Sequence, residues 1–353
     1  MKLASYQINV VAVPYEEGRR AAHVILRLRT DDGVEGLGYF TMVTAAAWFA
    51  KPLVATLEAM LERVRGADPL DSEALNARLL AMGDGPMSGI IHRAAAIVDV
   101  AAWDIAGKAL GQPVYRLLGG YRDRVPVYAS WKLWWTYDLP TLSKHAKEMV
   151  GLGFKAMKFR LGGVLDPREI AARAATMRDA VGDGVALMAD ANQSWTLSQA
   201  IPLGRALDPY RLRWLEDPVH HEDHAGLAEV ARAVETPVAT GESYHTVAPF
   251  VSLLQHRSVA DLIVDIDVGG LTQWVKVARL AEAYRTGVAG HTATEVCVHA
   301  VAAVPNGTWV EYIPWIQPLF KAGPVIENGM LVAPQTPGLG LELDEAALAK
   351  YAV

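Results

Sequence analysis

The sequence predicts a (β/α)8 barrel of the TIM type joined to a smaller N-terminal α+β domain, and three observations carry that prediction. The chain has 353 residues, too many for one typical domain, and a barrel of about 250 residues leaves room for a companion. From Val125 onward, short apolar runs alternate with helical stretches at a repeat of about 25 residues, the cadence of βα units. Before that point the chain reads first as paired strands and then as helices.

Leu3 to Val13 and Ala22 to Thr30 alternate apolar and polar residues, and the Asp31-Asp32-Gly33 turn leads into Val34 to Phe40, a hairpin signal. From Thr44 to Leu118 the apolar spacing becomes helical, with Gly119-Gly120 as the stop. Eight barrel strands are then expected at Val125–Ala129, Ala156–Phe159, Ala186–Ala189, Leu212–Leu215, Val238–Thr240, Leu262–Ile266, Val288–Ala289 and Trp309–Glu311. The tail from Pro314 is rich in Pro and Gly and ends in a short helix, Glu345 to Tyr351, expected to pack back on the first domain. The expected division is therefore 1–124, 125–320 and 321–353.

Hydrophobic residues make up 52% of the chain and charged residues 20%. That is enough apolar material for a large core, and no run of eighteen uncharged apolar residues suggests a membrane span. The start, MKLASYQINVVAV, alternates like a strand rather than a signal peptide. A single cysteine, Cys297, cannot form an internal disulfide and fits a reducing cytoplasm. The net charge of −6 leaves no basic face for nucleic acid. An acidic protein handling an anionic substrate needs a local positive charge, such as a metal.

Asp190, Glu216 and Glu242 each follow an apolar strand, and each stands 26 residues after the one before. One βα repeat moves one carboxylate to the next, and the C-terminal ends of barrel strands converge on a single site. Three acids there repel one another unless a cation sits between them. All-oxygen ligation suits Mg2+. An isolated strand-end acid would more simply cap the following helix; three in equal register point to a metal.

Several motifs resemble the mandelate racemase subgroup of the enolase superfamily over nearly the whole chain. They are Asp190-Ala191-Asn192-Gln193-Ser194, Trp214-Leu215-Glu216-Asp217-Pro218, Gly241-Glu242, and Ala102-Trp103-Asp104-Ile105-Ala106-Gly107-Lys108 running on to Leu117-Leu118-Gly119-Gly120. The resemblance implies a capping domain over the barrel mouth, Mg2+ on the three acids, a substrate carboxylate on that ion, and Asn192 lining the substrate site. Metal and partners would stabilise the enediolate formed when the α-carbon loses its proton. It also implies a homo-oligomer, dimers and octamers being common in the family.

The third strand ends Lys158-Phe159-Arg160, and strand alternation puts the two cations on one side. The family pattern is Lys-x-Lys, its second lysine a base. Arginine is effectively always protonated, so Arg160 is expected to orient a carboxylate or to lower a neighbour's pKa. Lys158 is expected on the substrate carboxylate or the metal shell, or in a buried ion pair. On the opposite side the family places a His-Asp pair: His291 fits the histidine and Asp265 its partner, with Asp267 as the alternative and otherwise a substrate-binding residue. Glu311 matches a carboxylic group that hydrogen-bonds the substrate carboxylate and would have to hold or share a proton. Trp315 to Phe320 is similar to the corresponding segment of talarate and galactarate dehydratases.

Tyr15 and Arg19, between the first two expected strands, lie where a capping loop would reach substrate. Trp131, with Trp134 and Trp135, either walls the substrate site or packs beneath the cap. His220, His221 and His224 read as a solvated helix face. No phosphate loop or dinucleotide fingerprint is present. Racemisation needs a base on each face of the α-carbon, so Arg160 tilts the expected reaction toward dehydration of an acid sugar, an aldonate or aldarate, to a 2-keto-3-deoxy acid. A racemase, epimerase or lactone cycloisomerase is the same-class alternative. A non-catalytic homologue with a structural metal is the other.

Overall fold

The computed structural model describes residues 1–16, 18–42, 46–82 and 88–353. An antiparallel sheet of β1 (Leu3–Glu16), β2 (Arg19–Thr30) and β3 (Glu35–Met42) comes first. The β1–β2 pairing runs from Leu3 opposite Thr30 to Glu16 opposite Arg19. Tyr15 and Arg19 are therefore strand residues, not the loop expected from the sequence. The helices α1 (Ala46–Val64), α2 (Ser72–Leu80), α3 (Ser88–Ala109) and α4 (Val114–Leu118) follow. Thr44, the expected start of the helical stretch, lies outside the described residues.

Strand β3 lies against α3 at closest range. A Cβ on Gly36 would sit 2.1 Å from the Ala101 carbonyl oxygen, and one on Gly38 2.0 Å from that of Ile97. Only glycine admits that approach. The motif residue Asp104 is spent on structure: its buried carboxylate accepts from Leu37 N at 2.8 Å, Leu339 N at 2.8 Å and Lys108 Nζ at 2.7 Å.

Eight parallel strands close the barrel: β4 (Arg124–Ala129), β5 (Ala156–Arg160), β6 (Ala186–Asp190), β7 (Leu215–Glu216), β8 (Val238–Thr240), β9 (Asp261–Asp265), β10 (Gly287–His291) and β11 (Gly307–Tyr312), with β11 paired to β4. Between them run α5 (Leu139–Gly151), α6 (Pro167–Val181), α7 (Leu197–Leu207), α8 (His224–Ala233), α9 (Ala248–His256), α10 (Leu271–Ala283) and α11 (Thr294–Ala303). Their buried faces pack on the strands; in α7, Ala200, Leu203 and Leu207 recur at helical spacing on the core side. Tyr128, Ala156, Met188, Trp214, Ala239, Ile263 and Ala289 fill the barrel interior. The fourth strand is two residues long and begins three residues later than the apolar run Leu212–Leu215 suggested, and Arg213 just before it pairs with the buried Asp261.

Beyond the barrel, β12 (Ile326–Glu327) and β13 (Met330–Val332) form a hairpin, and β13 pairs antiparallel with the first half of β4. The final helix α12 (Glu345–Tyr351) brings Ala352 opposite Val11 of β1. The tail thus touches both the barrel and the N-terminal sheet. Among the described residues, no helix is long and apolar enough to cross a membrane.

Candidate metal centre and catalytic site

Strand register gathers the chemistry at one end of the barrel. Arg160 stands opposite Asp190, Asp190 opposite Glu216, and Asp265 opposite His291. Glu242 follows β8 after Gly241, whose φ of 138° turns the chain inward. The residues just past these strands hold left-handed backbone without being glycine: Asn192 (48°), Gln193 (58°), Asp217 (44°), Thr292 (45°) and Ala293 (34°). Such strain clusters at functional sites.

One oxygen each from Asp190, Glu216 and Glu242 lies within 4.8 Å of the others. Asp190 and Glu216 are fully buried. Burial pushes the Glu216 carboxyl up to about 7 despite the nearby Lys158, and burial together with the charges of Glu242, Asp190 and Glu216 drives Asp217 well above the carboxylate range. Such crowding of acids calls for a cation. The Asn192 backbone N and Nδ2 hold Asp190 at 2.8 and 3.0 Å, while Asn192 Oδ1 is buried without a protein partner. Three carboxylates with no thiol or imidazole among them fit a hard divalent ion.

Lys158 is fully buried within this shell, ion-paired to Glu216 and 3.4 Å from Asp190 Oδ2 and 3.2 Å from Glu311 Oε1. Burial pulls its ammonium down, but the charges of Glu216, Glu311 and Asp190 outweigh that and hold it well above the ordinary lysine value. Arg160 donates to Asp190 Oδ2 at 2.6 Å and to Ser130 Oγ at 3.3 Å, with Trp134 stacked over its guanidinium at 5.0 Å.

His291 Nδ1 lies 2.7 Å from Asp265 Oδ2, and Nε2 lies 2.9 Å from Glu242 Oε2. Of the two candidate partners, Asp265 is the one in contact; Asp267 instead accepts from Arg93 Nε at 2.9 Å. Burial lowers the imidazole, but the charges of Glu242 and Glu311 overcome it and hold His291 well above its ordinary value. Glu311 lies among Lys158, Arg160 and His291. Burial raises its carboxyl, yet Lys158, His291 and Arg160 hold it well below the usual carboxylate range. It also accepts from Thr292 N at 2.9 Å.

A cavity of about 450 Å3 opens on this end, lined by Glu242, Asp265, Asp267, His291, Arg160 and Asn192 among others. Tyr15, Arg19 and Trp131 do not line it. Tyr15 packs on Trp315 with ring centroids 5.8 Å apart, Arg19 is half-exposed beside Glu16, and Trp131 is held between Phe154 and Tyr312 at 5.5 and 5.0 Å. Their neighbours take the places foreseen for them: Trp134, Trp135 and Trp315 line the cavity, as does Arg93 of α3. The Trp131–Trp135 run signalled the first two of these. Nothing local to Arg93 marks it, because its role depends on a contact with Asp267 far along the chain. Of the histidine cluster, His220 is exposed as expected, whereas His221 and His224 are half-buried and bonded. His221 Nδ1 lies 2.8 Å from Gln193 Oε1, and His224 lies 2.7 Å from Ser252 Oγ and 2.9 Å from the Tyr244 hydroxyl, tying the loops after β6, β7 and β8 together.

Known proteins share the sequence pattern and the fold. The family described as "Enolase C-terminal domain-like" matches residues 141–347, and "Mandelate racemase / muconate lactonizing enzyme, N-terminal domain" matches residues 8–119. The L-talarate/galactarate dehydratase of Salmonella typhimurium is 31% identical over 92% of this chain and 81% of its own. The 3,6-anhydro-alpha-L-galactonate cycloisomerase of Streptomyces coelicolor is 34% identical over 94% of this chain and 91% of its own. Among solved structures, L-talarate dehydratase from Polaromonas sp. JS666, complexed with Mg and L-glucarate, superimposes with a TM-score of 0.91 at 32% identity, covering 99% of this chain and 97% of that one. With both domains matched and three strand-end acids converging in the barrel, the chain belongs to the mandelate racemase/muconate lactonizing enzyme family of the enolase superfamily.

Proposed function

We propose that this protein is a Mg2+-dependent acid-sugar dehydratase, converting an aldonate or aldarate to a 2-keto-3-deoxy acid. The observation that carries the reading is the asymmetry across the site. On one side the His291–Asp265 pair can exchange a proton at Nε2; on the other, Arg160 is committed to Asp190 and Lys158 is sealed among three acids. Inverting the α-carbon by proton exchange asks for a working base on both faces. Dehydration asks for one group that takes the α-proton and an acid for the departing β-hydroxyl.

Asp190, Glu216 and Glu242 would hold the ion, which supplies positive charge to the substrate carboxylate and relieves the pull of Glu242 on the imidazole. His291 Nε2 then accepts the α-proton, with Asp265 fixing the tautomer through Nδ1. Arg160 lines the cavity and faces the charge gathering on the substrate carboxylate, while Lys158 lends its charge from behind, through Asp190, Glu216 and Glu311. As the β-carbon–oxygen bond breaks, the same Nε2–H returns its proton and hydroxide leaves as water. The resulting enol rearranges to the keto acid. The named relatives include dehydratases of talarate, galactarate, xylonate and galactonate, which supports this class of reaction. The related cycloisomerases support the runner-up, lactone cycloisomerisation.

The test is a panel of acid sugars incubated with Mg2+ or with EDTA and read for 2-keto-3-deoxy acid. Metal-dependent keto acid is expected for at least one epimer. If acid sugars only exchange their α-hydrogen in deuterated water, without keto acid, the enzyme is a racemase or epimerase; if only lactones turn over, it is a cycloisomerase. The proposal includes a cytoplasmic homo-oligomer, dimer or octamer, to be measured by analytical ultracentrifugation.

A further inference from the structure

The N-terminal domain contributes Tyr39, Phe40, Thr41 and Arg93 to the cavity wall. Arg93 is the charged group among them. Its Nε donates to Asp267 Oδ2 at 2.9 Å, and its guanidinium carbon lies 5.3 Å from the ring centroid of Phe40 and 5.7 Å from that of Phe49. Two rings and one carboxylate hold the fork in place. Among the described residues, neither Nη group makes a hydrogen bond. The pair is linked to the catalytic histidine through the wall of the cavity, because Asp267 N donates to Asp265 Oδ1 at 2.9 Å and Asp265 Oδ2 meets His291.

Resting on the dehydratase reading, we propose that Arg93 and Asp267 together read the part of the substrate remote from its metal-bound carboxylate. The part they read is a neutral polyol, so the substrate is an aldonate rather than an aldarate. Charge and donor count point that way. The cations lining the cavity are Arg93, Arg160 and, when protonated, His291. Arg160 is bonded to Asp190, His291 to Asp265, and Arg93 to Asp267. The residues outside the described set include no Lys, Arg or His to add another. A second carboxylate would therefore meet no unmatched positive charge, and beside Arg93 it would face Asp267, a like charge in a partly buried place. Two neighbouring hydroxyls suit the pair: one donates to Asp267, and the other accepts from an Arg93 Nη.

The experiment compares each six-carbon aldonate with the aldarate made by oxidising its C6, using the Mg2+-loaded protein. It is run at pH 8, above the value of about 7 to which burial and Asp265 push the Asp267 carboxyl. Binding is followed by the fluorescence of the cavity tryptophans, turnover by keto acid. Wild type is expected to favour the aldonate of the turned-over pair at least tenfold in both Kd and kcat/KM. Asp267→Asn, which leaves the Arg93 charge unmatched, is expected to shrink or invert that ratio. Arg93→Met should raise KM at least tenfold with kcat changed much less, and Arg93→Lys should recover part of the loss. A wild-type preference for the aldarate, or a ratio unmoved by Asp267→Asn in a variant whose melting curve is unchanged, overturns the proposal. If no acid sugar yields keto acid, the dehydratase reading fails by itself, and the tryptophan titrations still decide whether Arg93 and Asp267 prefer the neutral end.

Discussion

His291 is engaged at both ring nitrogens, at 2.7 Å by Asp265 and at 2.9 Å by Glu242. Replacing it by asparagine keeps a polar group of similar reach but removes the proton exchange. His291→Asn is therefore expected to lower kcat about 1000-fold, within the range for a general acid-base group, with Mg2+ affinity measured by calorimetry kept within about tenfold of wild type. Activity within tenfold of wild type would remove His291 from the proton-transfer role. At this scale, the sequence made legible the residues whose spacing itself carries geometry. Equal steps from Asp190 to Glu216 to Glu242 can mean only neighbouring βα units, and Lys158 with Arg160 share a face by strand alternation. Asp265 is preferred to Asp267 as the partner of His291, but the spacing alone does not separate them. Both follow the same apolar run, and the turn at Ile266–Val268 that sends one toward His291 and the other toward Arg93 depends on tertiary packing.

Elements were legible where periodicity was strong and less so where strands were short. The eight expected barrel strands all correspond to observed ones, but two residues of β7 leave little alternation to read, and the apolar Leu212 before it belongs to the approach rather than to the strand. The reach of β1 to Glu16 and of β2 back to Arg19 is not legible, since Pro14 has no N–H for the ladder and the apolar alternation stops there. The seat of β3 on α3 gives a test at this scale. Gly38→Ala places a methyl against the Ile97 carbonyl, which cannot swing aside as a side-chain tip can. A loss of about 1–3 kcal/mol is expected from such overpacking, read as a lower urea midpoint. Because α3 carries Arg93, KM for the acid sugar should rise with it while kcat moves less. An unchanged midpoint would mean that β3 and α3 separate easily.

The whole molecule is joined by buried groups that must stay neutral. His299 of α11 accepts from Tyr115 N at 3.2 Å and lies 3.1 Å from the Leu339 carbonyl, so it ties α4, the barrel and the tail together. Burial lowers its pKa from 6.5 to about 4, and burial lowers that of His23, in β2 beside Thr41 of β3, to about 3. The sign follows directly. Above pH 6.5 neither state protonates these rings. Between pH 6.5 and about 4 the unfolded chain takes up protons that the native protein refuses, so stability falls with pH across that window. Between pH 6.5 and 5 the loss is about 2 kcal/mol for each histidine. Denaturant unfolding at the two pH values checks it, and His299→Gln should flatten the dependence by about half of the two-histidine loss. Equal slopes in both proteins would mean that His299 is charged in the native state. The domain count was legible from length, but these joints were not, since a lone histidine in a helical stretch carries no mark of what it will meet.

The left-handed backbone at Thr292 and Ala293, immediately after His291, also bears on how this protein can be improved. A left-handed residue other than glycine costs about 1–2 kcal/mol, and glycine's looser unfolded chain takes back about 0.5–1 kcal/mol of the relief. Ala293→Gly should therefore raise the melting temperature slightly, by about 1–2 °C for a net gain near 0.5 kcal/mol. It would also loosen the backbone that sets the angle of the imidazole, so kcat should fall as the protein becomes hardier. A search for thermostable variants would then find its easiest gains at the barrel mouth and lose turnover with each. Engineering for durability should begin instead at the exposed helices of the barrel's outer ring, where a sturdier surface leaves the proton-transfer geometry untouched.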